Sequence, residues 1–197
     1  MSRFDYVVFD IETTGLNPVT DRICEIAAIG VMDGLPGETF STLVSVGREM
    51  PAAATSVNGI TDAMLEGAPS VTEALEGFLS FIGEEPVLAG HNIEGFDLKF
   101  VIRAACEDGL TFPPFRIIDT LTVARELWPE LESRSMDSFR KLLGIERSDA
   151  HRALADCYDE LALLNAEHAC IAARETRTFH EVEDILARAE RCRYGAG

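Results

Sequence analysis

Asp5-Tyr6-Val7-Val8-Phe9-Asp10-Ile11-Glu12 is the stretch that decides how this chain folds. Its Tyr, Val, Phe and Ile content suits a β-strand, and the strand period of two sends Asp10 and Glu12 to one face and Phe9 and Ile11 to the other. Two like charges on one face gain nothing from packing. They repel unless something positive sits between them, and a hard divalent cation with oxygen ligands meets that need.

Working outward, further strands are expected near residues 22 to 32 and 38 to 46, which are rich in Val, Ile, Phe and Thr. Gly15-Leu16-Asn17-Pro18 and Asp33-Gly34-Leu35-Pro36-Gly37 read as the turns between them, so the chain opens with an antiparallel meander. Ser70 followed by Glu73 marks an N-cap, and Val71, Ala74, Leu75, Phe78, Leu79 and Ile82 keep a helical period as far as Gly83. Pro86 to His91 reads as a short buried strand. A helix from about Gly95 to Glu107 follows, with Leu98, Val101, Ile102 and Ala105 inward and Asp97 in its first turn. Phe115 to Asp119 makes a last strand, and helices are expected near 120 to 127, 135 to 143 and 152 to 173, the first two stopped by Pro129 and Gly144. A meander followed by β-α-β units predicts an α/β fold with a mixed five-stranded sheet flanked by helices.

The chain has 197 residues with 47% hydrophobic content, which suits a single domain over residues 1 to 175. A last helix near 179 to 193, within a C-terminal segment 176 to 197, places Phe179, Val182, Ile185, Leu186 and Ala189 on one stripe. That helix packs on the domain, or it docks a partner or a second copy. The sequence lacks an apolar run of membrane-spanning length and a signal peptide's apolar stretch, which predicts a cytoplasmic protein. Five cysteines without a C-x-x-C pair point to free thiols rather than a zinc site or a disulfide framework.

The formal charge of −17 argues against a protein that coats duplex DNA by neutralising many phosphates. The charge is uneven, with three basic against sixteen acidic residues before position 99 and fourteen against eighteen from position 99 onward. An enzyme that grips one strand end through metal ions needs few phosphate contacts, so acidity tells against a broad binding module more than against a nuclease.

Hydrolysing a phosphodiester takes an activated water and neutralisation of charge on the phosphoryl and leaving oxygens, tasks that two divalent ions about 4 Å apart perform together. Asp10 on the central strand is placed to bridge two Mg²⁺ or Mn²⁺ ions, with Glu12 beside it. Asp156 would come from the last long helix, and Asp97 through a water on the second ion. His151 supplies an imidazole to take the proton of the attacking water. Five residues of helix turn the chain about 140° off its starting face, so His151 must lie in the loop before the helix if it is to work with Asp156. Asp149 is a candidate cap for that helix. Taken singly, Asp97 reads as a helix-dipole partner, and Asp156 and His151 as solvated residues; their combination carries the argument.

Phe9-Asp10-Ile11-Glu12-Thr13-Thr14-Gly15-Leu16, His91-Asn92-Ile93-Glu94-Gly95-Phe96-Asp97 and His151-Arg152-Ala153-Leu154-Ala155-Asp156 resemble, in order and spacing, the three motifs of the DEDD exonucleases. The third motif resembles the histidine branch, which includes proofreading subunits and domains of bacterial replicative DNA polymerases. The likeness covers roughly residues 5 to 170 and extends to Asn58-Gly59-Ile60-Thr61 and Ile118-Asp119-Thr120. It implies an RNase H-like fold and release of nucleoside 5′-monophosphates from a 3′ end. By the same resemblance Asp10, Glu12, Asp97 and Asp156 are metal ligands and His151 is the base. Thr13, Thr14, Gly15 and Leu16 would meet the terminal nucleotide, with Asn58, Asn92 and Phe96 nearby. Many relatives have histidine where this chain has Asn58.

The sequence thus predicts a metal-dependent 3′ to 5′ exonuclease acting on single-stranded ends, with DNA in a proofreading or repair setting as the first expectation. An RNA-trimming exoribonuclease of the same family is the alternative within enzymes. An inactive module that binds a polymerase is the alternative outside them, and the filled catalytic positions argue against it.

Overall fold

The computed structural model of the chain describes residues 3–145 and 152–173. In chain order the elements are β1 (Tyr6–Thr13), β2 (Ile23–Met32), β3 (Leu35–Leu43), α1 (Ala52–Asn58), α2 (Asp62–Leu65), α3 (Val71–Ile82), β4 (Val87–Gly90), α4 (Asp97–Glu107), β5 (Arg116–Asp119), α5 (Thr120–Leu127), α6 (Met136–Leu142) and α7 (Ala153–Ala172). The strands form one five-stranded sheet in the order β3-β2-β1-β4-β5. β1 and β2 pair antiparallel, as do β2 and β3, while β4 and β5 join in parallel on the far side of β1. The expected meander and mixed sheet are both present, and β1 is central.

The period of two in β1 sorts the core into two layers. Val7, Phe9 and Ile11 pack with Leu75 and Phe78 of α3 and Leu98 and Val101 of α4. Tyr6 and Val8 point the other way and pack with Ala153, Cys157, Leu161 and Leu164 of α7. Fully burying one such leucine contributes roughly 1.5–3 kcal/mol, so the two layers fix which sheet face meets which helix. α3 has the predicted capping box, Ser70 Oγ accepting from Glu73 N–H and the Glu73 carboxylate accepting from Ser70 N–H at 2.8 Å. A third cluster of Trp128, Phe139, Leu163 and Cys170 joins α5, α6 and α7 beyond the sheet edge.

Two expectations need correction. β3 runs from Leu35 to Leu43, three residues earlier than expected. The turn uses Asp33 and Gly34 alone, both at positive φ (52° and 72°), which is the two-residue hairpin geometry that matches strand twist. Pro36 therefore sits inside β3, opposite Val31, where an edge strand tolerates a missing N–H. α1 and α2 were not expected, because seven and four residues are too few to display a helical period. Among the described residues no helix is long and apolar enough to cross a membrane. The segment 176 to 197, its helix at 179 to 193 and Asp149 lie outside the described residues, and the N-cap position of α7 is taken by Arg152.

Candidate active site

The parallel strands β1, β4 and β5 all end on one side of the sheet, and the loops after them enclose a cavity of about 490 Å³. Asp10, Glu12, Asn92, Phe96, Asp97, Arg140, Asp156 and Glu160 are among its lining. One oxygen each from Asp10, Glu12 and Asp156 lies within 4.8 Å of the other two. Local structure explains how each acid arrives. Asp10 and Glu12 alternate off the face of β1 that carries Tyr6 and Val8, so they point to the side covered by α7. Asp156 sits in the first turn of α7, which lies across β1 and β2 with Cys157 Sγ donating to Ala27 O at 3.5 Å.

Asp97 reaches the same cavity by another route. β4 pairs with β1 only at Val7 and Val8, and farther along the strand Ile11 N–H donates to Asp97 Oδ1 at 3.2 Å. The side chain thus replaces a missing strand neighbour, and it lies outside the tight trio of Asp10, Glu12 and Asp156. The loop that delivers it is held by Asp119, whose carboxylate accepts from Asn92 N–H (3.2 Å), Glu94 N–H (3.3 Å), Leu121 N–H (3.0 Å) and Thr122 N–H (3.3 Å). One side chain therefore caps α5 and fixes the approach to α4. Asn92 takes a left-handed φ of 63°, and a Cβ on Gly95 would stand 2.3 Å from its Oδ1, so the turn requires glycine there.

The electrostatics are those of a cation site. Burial first, then Asp97, Glu160, Asp156 and Glu12, pushes the Asp10 carboxyl well above the usual carboxylate range. Burial pushes Asp97 up to about 8 against the lowering effect of backbone N–H donors. Asp10 Oδ2 is buried and, among the described residues, without a hydrogen-bond partner. A hard oxygen donor set under mutual repulsion, with an orphaned oxygen at its centre, fits Mg²⁺ or Mn²⁺. Mg²⁺ and Mn²⁺ both take such ligands, so the donor set does not choose between them.

Three residues of this site were not singled out from the sequence. Arg140 of α6 is buried and donates to Asp156 Oδ1 (2.5 Å), Asp159 Oδ2 (2.6 Å) and Asp137 Oδ1 (2.7 Å). Glu25 of β2 stands across the strand pair from Glu12 and takes Arg152 in a bidentate pair, with contacts of 2.6 and 3.1 Å. Its Oε2 also accepts from Ala153 N–H at 3.2 Å, so Glu25 anchors the first turn of the helix that carries Asp156. Glu160, one turn beyond Asp156, accepts from His91 N–H at 3.1 Å. Ion pairing between distant segments leaves no periodic trace, and a buried Arg or Glu looks like any other until the partner is known.

The expected nucleotide-contacting residues border the cavity unequally. A bulge between Glu12 and Thr13 turns the strand end, and Leu16 stands 84% exposed beyond it. Thr13 Oγ1 donates to Gly15 O at 2.6 Å, while Thr14 Oγ1 accepts from Arg22 N–H at 2.9 Å and from Arg48 at 2.8 Å. Gly15 abuts Asp21, whose Oδ2 would lie 2.5 Å from an added Cβ. Asn58 is 2% exposed, with its amide on Thr13 O (3.3 Å) and Ile60 N–H (3.0 Å), so whatever it contributes passes through the Thr13 backbone. Phe96 stacks on Phe100 with ring centroids 5.0 Å apart. His91 is committed at both ring nitrogens, to Thr120 Oγ1 and Arg134 O at 2.8 Å each, and burial lowers its pKa. That leaves the role of base to another group, and His151 lies outside the described residues.

The mixed sheet, with acidic side chains gathered at the end of its central strand, has the RNase H-like fold. A sequence profile for exonucleases of the RNase T type matches residues 7–164. The chain belongs to that exonuclease family. It is 39% identical over 161 residues to the DNA polymerase III subunit epsilon-like protein of Rhodobacter capsulatus, covering 79% of this chain and 22% of that protein. It is 38% identical over 181 residues to the PolC-type DNA polymerase III of Clostridium perfringens, covering 92% of this chain and 12% of that protein. The chain therefore spans less than a quarter of either relative's length. Among solved structures, exonuclease X in complex with 5′ overhanging duplex DNA superposes with a TM-score of 0.67 at 28% identity, covering 91% of this chain and 98% of that one.

Proposed function

We propose that the chain removes nucleotides one at a time from single-stranded 3′ ends of DNA, in proofreading or repair, by a mechanism using two divalent ions. The observation that carries this reading is the convergence of Asp10, Glu12 and Asp156 oxygens within 4.8 Å at the mouth of a cavity. Asp10, Glu12 and Asp156 would hold the ions directly, and Asp97 through water. When bound, Mg²⁺ or Mn²⁺ supplies an activated water and neutralises charge on the phosphoryl and leaving oxygens. His151 takes the proton from the attacking water, a role that needs a group near neutrality within hydrogen-bond reach. Arg140 holds Asp156 in place by donating to its Oδ1. Leu16 offers an apolar face to the terminal base, which a single strand exposes and a stacked duplex hides. The polymerase relatives support DNA as substrate and a polymerase as a partner.

Labelled DNA and RNA oligonucleotides, single-stranded, duplex and mismatched, test the reading with and without Mg²⁺. The expected result is stepwise shortening from the 3′ end of single-stranded or frayed DNA, abolished by chelation and by Asp10→Ala. Faster digestion of matched RNA would transfer the substrate to the RNA-trimming alternative. No digestion of either, at any metal concentration, would leave an interaction module.

A further inference from the structure

Glu160 is a buried acid of the cavity that the reading above does not use. It is 4% exposed, and its two oxygens have different fates. Oε1 accepts from His91 N–H at 3.1 Å, which ties α7 to the loop after β4. Oε2 is buried and, among the described residues, without a hydrogen-bond partner, in the same condition as Asp10 Oδ2. The two orphaned oxygens border one cavity.

The backbone packs tightly beside Glu160 at Gly90, where an added Cβ would meet Ile93 Cγ2 at 2.2 Å. A Cβ on Gly90 would come within 3.3 Å of Glu160 Oε2 and 3.0 Å of Phe9 O. A carboxyl oxygen and a backbone carbonyl oxygen thus flank Gly90, and an ionised Glu160 can donate nothing to that carbonyl. Arg140 is the nearest cation on α6, and it divides its guanidinium among Asp137, Asp156 and Asp159. A strut for His91 N–H alone would call for one neutral acceptor, whereas a buried carboxyl with an orphaned oxygen costs several kcal/mol unless something donates to it.

We propose that Glu160 is a fifth carboxylate of the metal centre, its Oε2 accepting a hydrogen bond from water carried by a bound divalent cation. Acceptors of this kind orient what the direct ligands hold, and their removal typically lowers metal affinity 10- to 100-fold. Glu160 lies outside the trio of Asp10, Glu12 and Asp156, which is why its reach is through water. The proposal rests on the metal-centre reading above.

Calorimetric titration of the full chain with Mn²⁺ separates the two, read alongside thermal melting with and without the ion. In Glu160→Gln the amide oxygen still accepts from His91 N–H, while an NH₂ replaces the orphaned oxygen. E160Q is expected to melt no lower than the wild type in the absence of metal, to bind Mn²⁺ about tenfold more weakly and to gain less melting temperature from it. Glu160→Asp keeps the charge and is expected to bind more tightly than E160Q. Wild-type or tighter Mn²⁺ binding by E160Q, with binding lost in Asp10→Asn, would reduce Glu160 to a strut for His91 and overturn the proposal. Undiminished Mn²⁺ binding by D10N would instead overturn the metal centre itself, and the role of Glu160 with it.

Discussion

Replacing Glu167 by methionine should stabilise the protein by an amount that grows with pH. Glu167 is fully buried on α7, on the face that carries Leu163 and Cys170, and neither carboxyl oxygen has a hydrogen-bond partner among the described residues. Burial first, then the charge of Asp119, pushes its pKa from an ordinary 4.5 up to about 9. The folded chain therefore holds a proton that the unfolded chain releases above pH 4.5. Stability linked to this proton is complete below the unfolded value and is lost as pH rises towards the folded one, at about 1.4 kcal/mol per pH unit. The loss is about 1 kcal/mol at pH 5 and about 3 kcal/mol at pH 7, in order of magnitude. Methionine, unbranched and apolar, removes the proton from the balance and suits the surrounding side chains. Urea unfolding of both proteins at pH 5, 6, 7 and 8 isolates the effect, because every other titrating group is common to the pair. Parallel stability curves across that range would show that Glu167 is ionised in the fold and refute the reasoning.

Three further outcomes are expected. Arg140→Met leaves Asp156 and Asp159 without their buried guanidinium and should cost about 3 kcal/mol, with Mn²⁺ restoring part of the lost melting temperature; an unchanged melting curve would count against the pairing. Glu25→Gln weakens the bidentate contact to Arg152, and because Arg152 is 42% exposed the cost should be near the low end, about 1 kcal/mol, or a few degrees of melting temperature. The same variant should slow hydrolysis by loosening the first turn of α7, and a wild-type rate would refute that link. His151→Ala should slow hydrolysis while leaving Mn²⁺ binding nearly intact, and full activity across neutral pH would remove His151 as the base.

The acids on β1 were legible because a period of two and a like-charge pair are local properties, readable within eight residues. The helix layer was legible for the same reason, as the capping box of α3 and the apolar stripe of α4 show. β3 was misplaced because Leu35-Pro36-Gly37 has the composition of a turn, and edge-strand tolerance of proline depends on a sheet order no local pattern contains. Arg140, Glu25 and Glu160 escaped for a deeper reason. Their importance lies in partners far along the chain, 127 residues away for Glu25 and Arg152, and spacing carries no information about such meetings. Asn58 was expected near the substrate, and its burial under Thr13 was not foreseeable from residue type.

The anchoring of α7 on β2 has a bearing on timing. Synthesis delivers Asp10 and Glu12 early, yet the third oxygen of their cluster and the clamp that seats it come from residues 152 onward. A growing chain on the ribosome thus carries half a cluster: its first acids have no counterpart until α7 has emerged. The acidic cluster is complete only once that helix docks on β1 and β2.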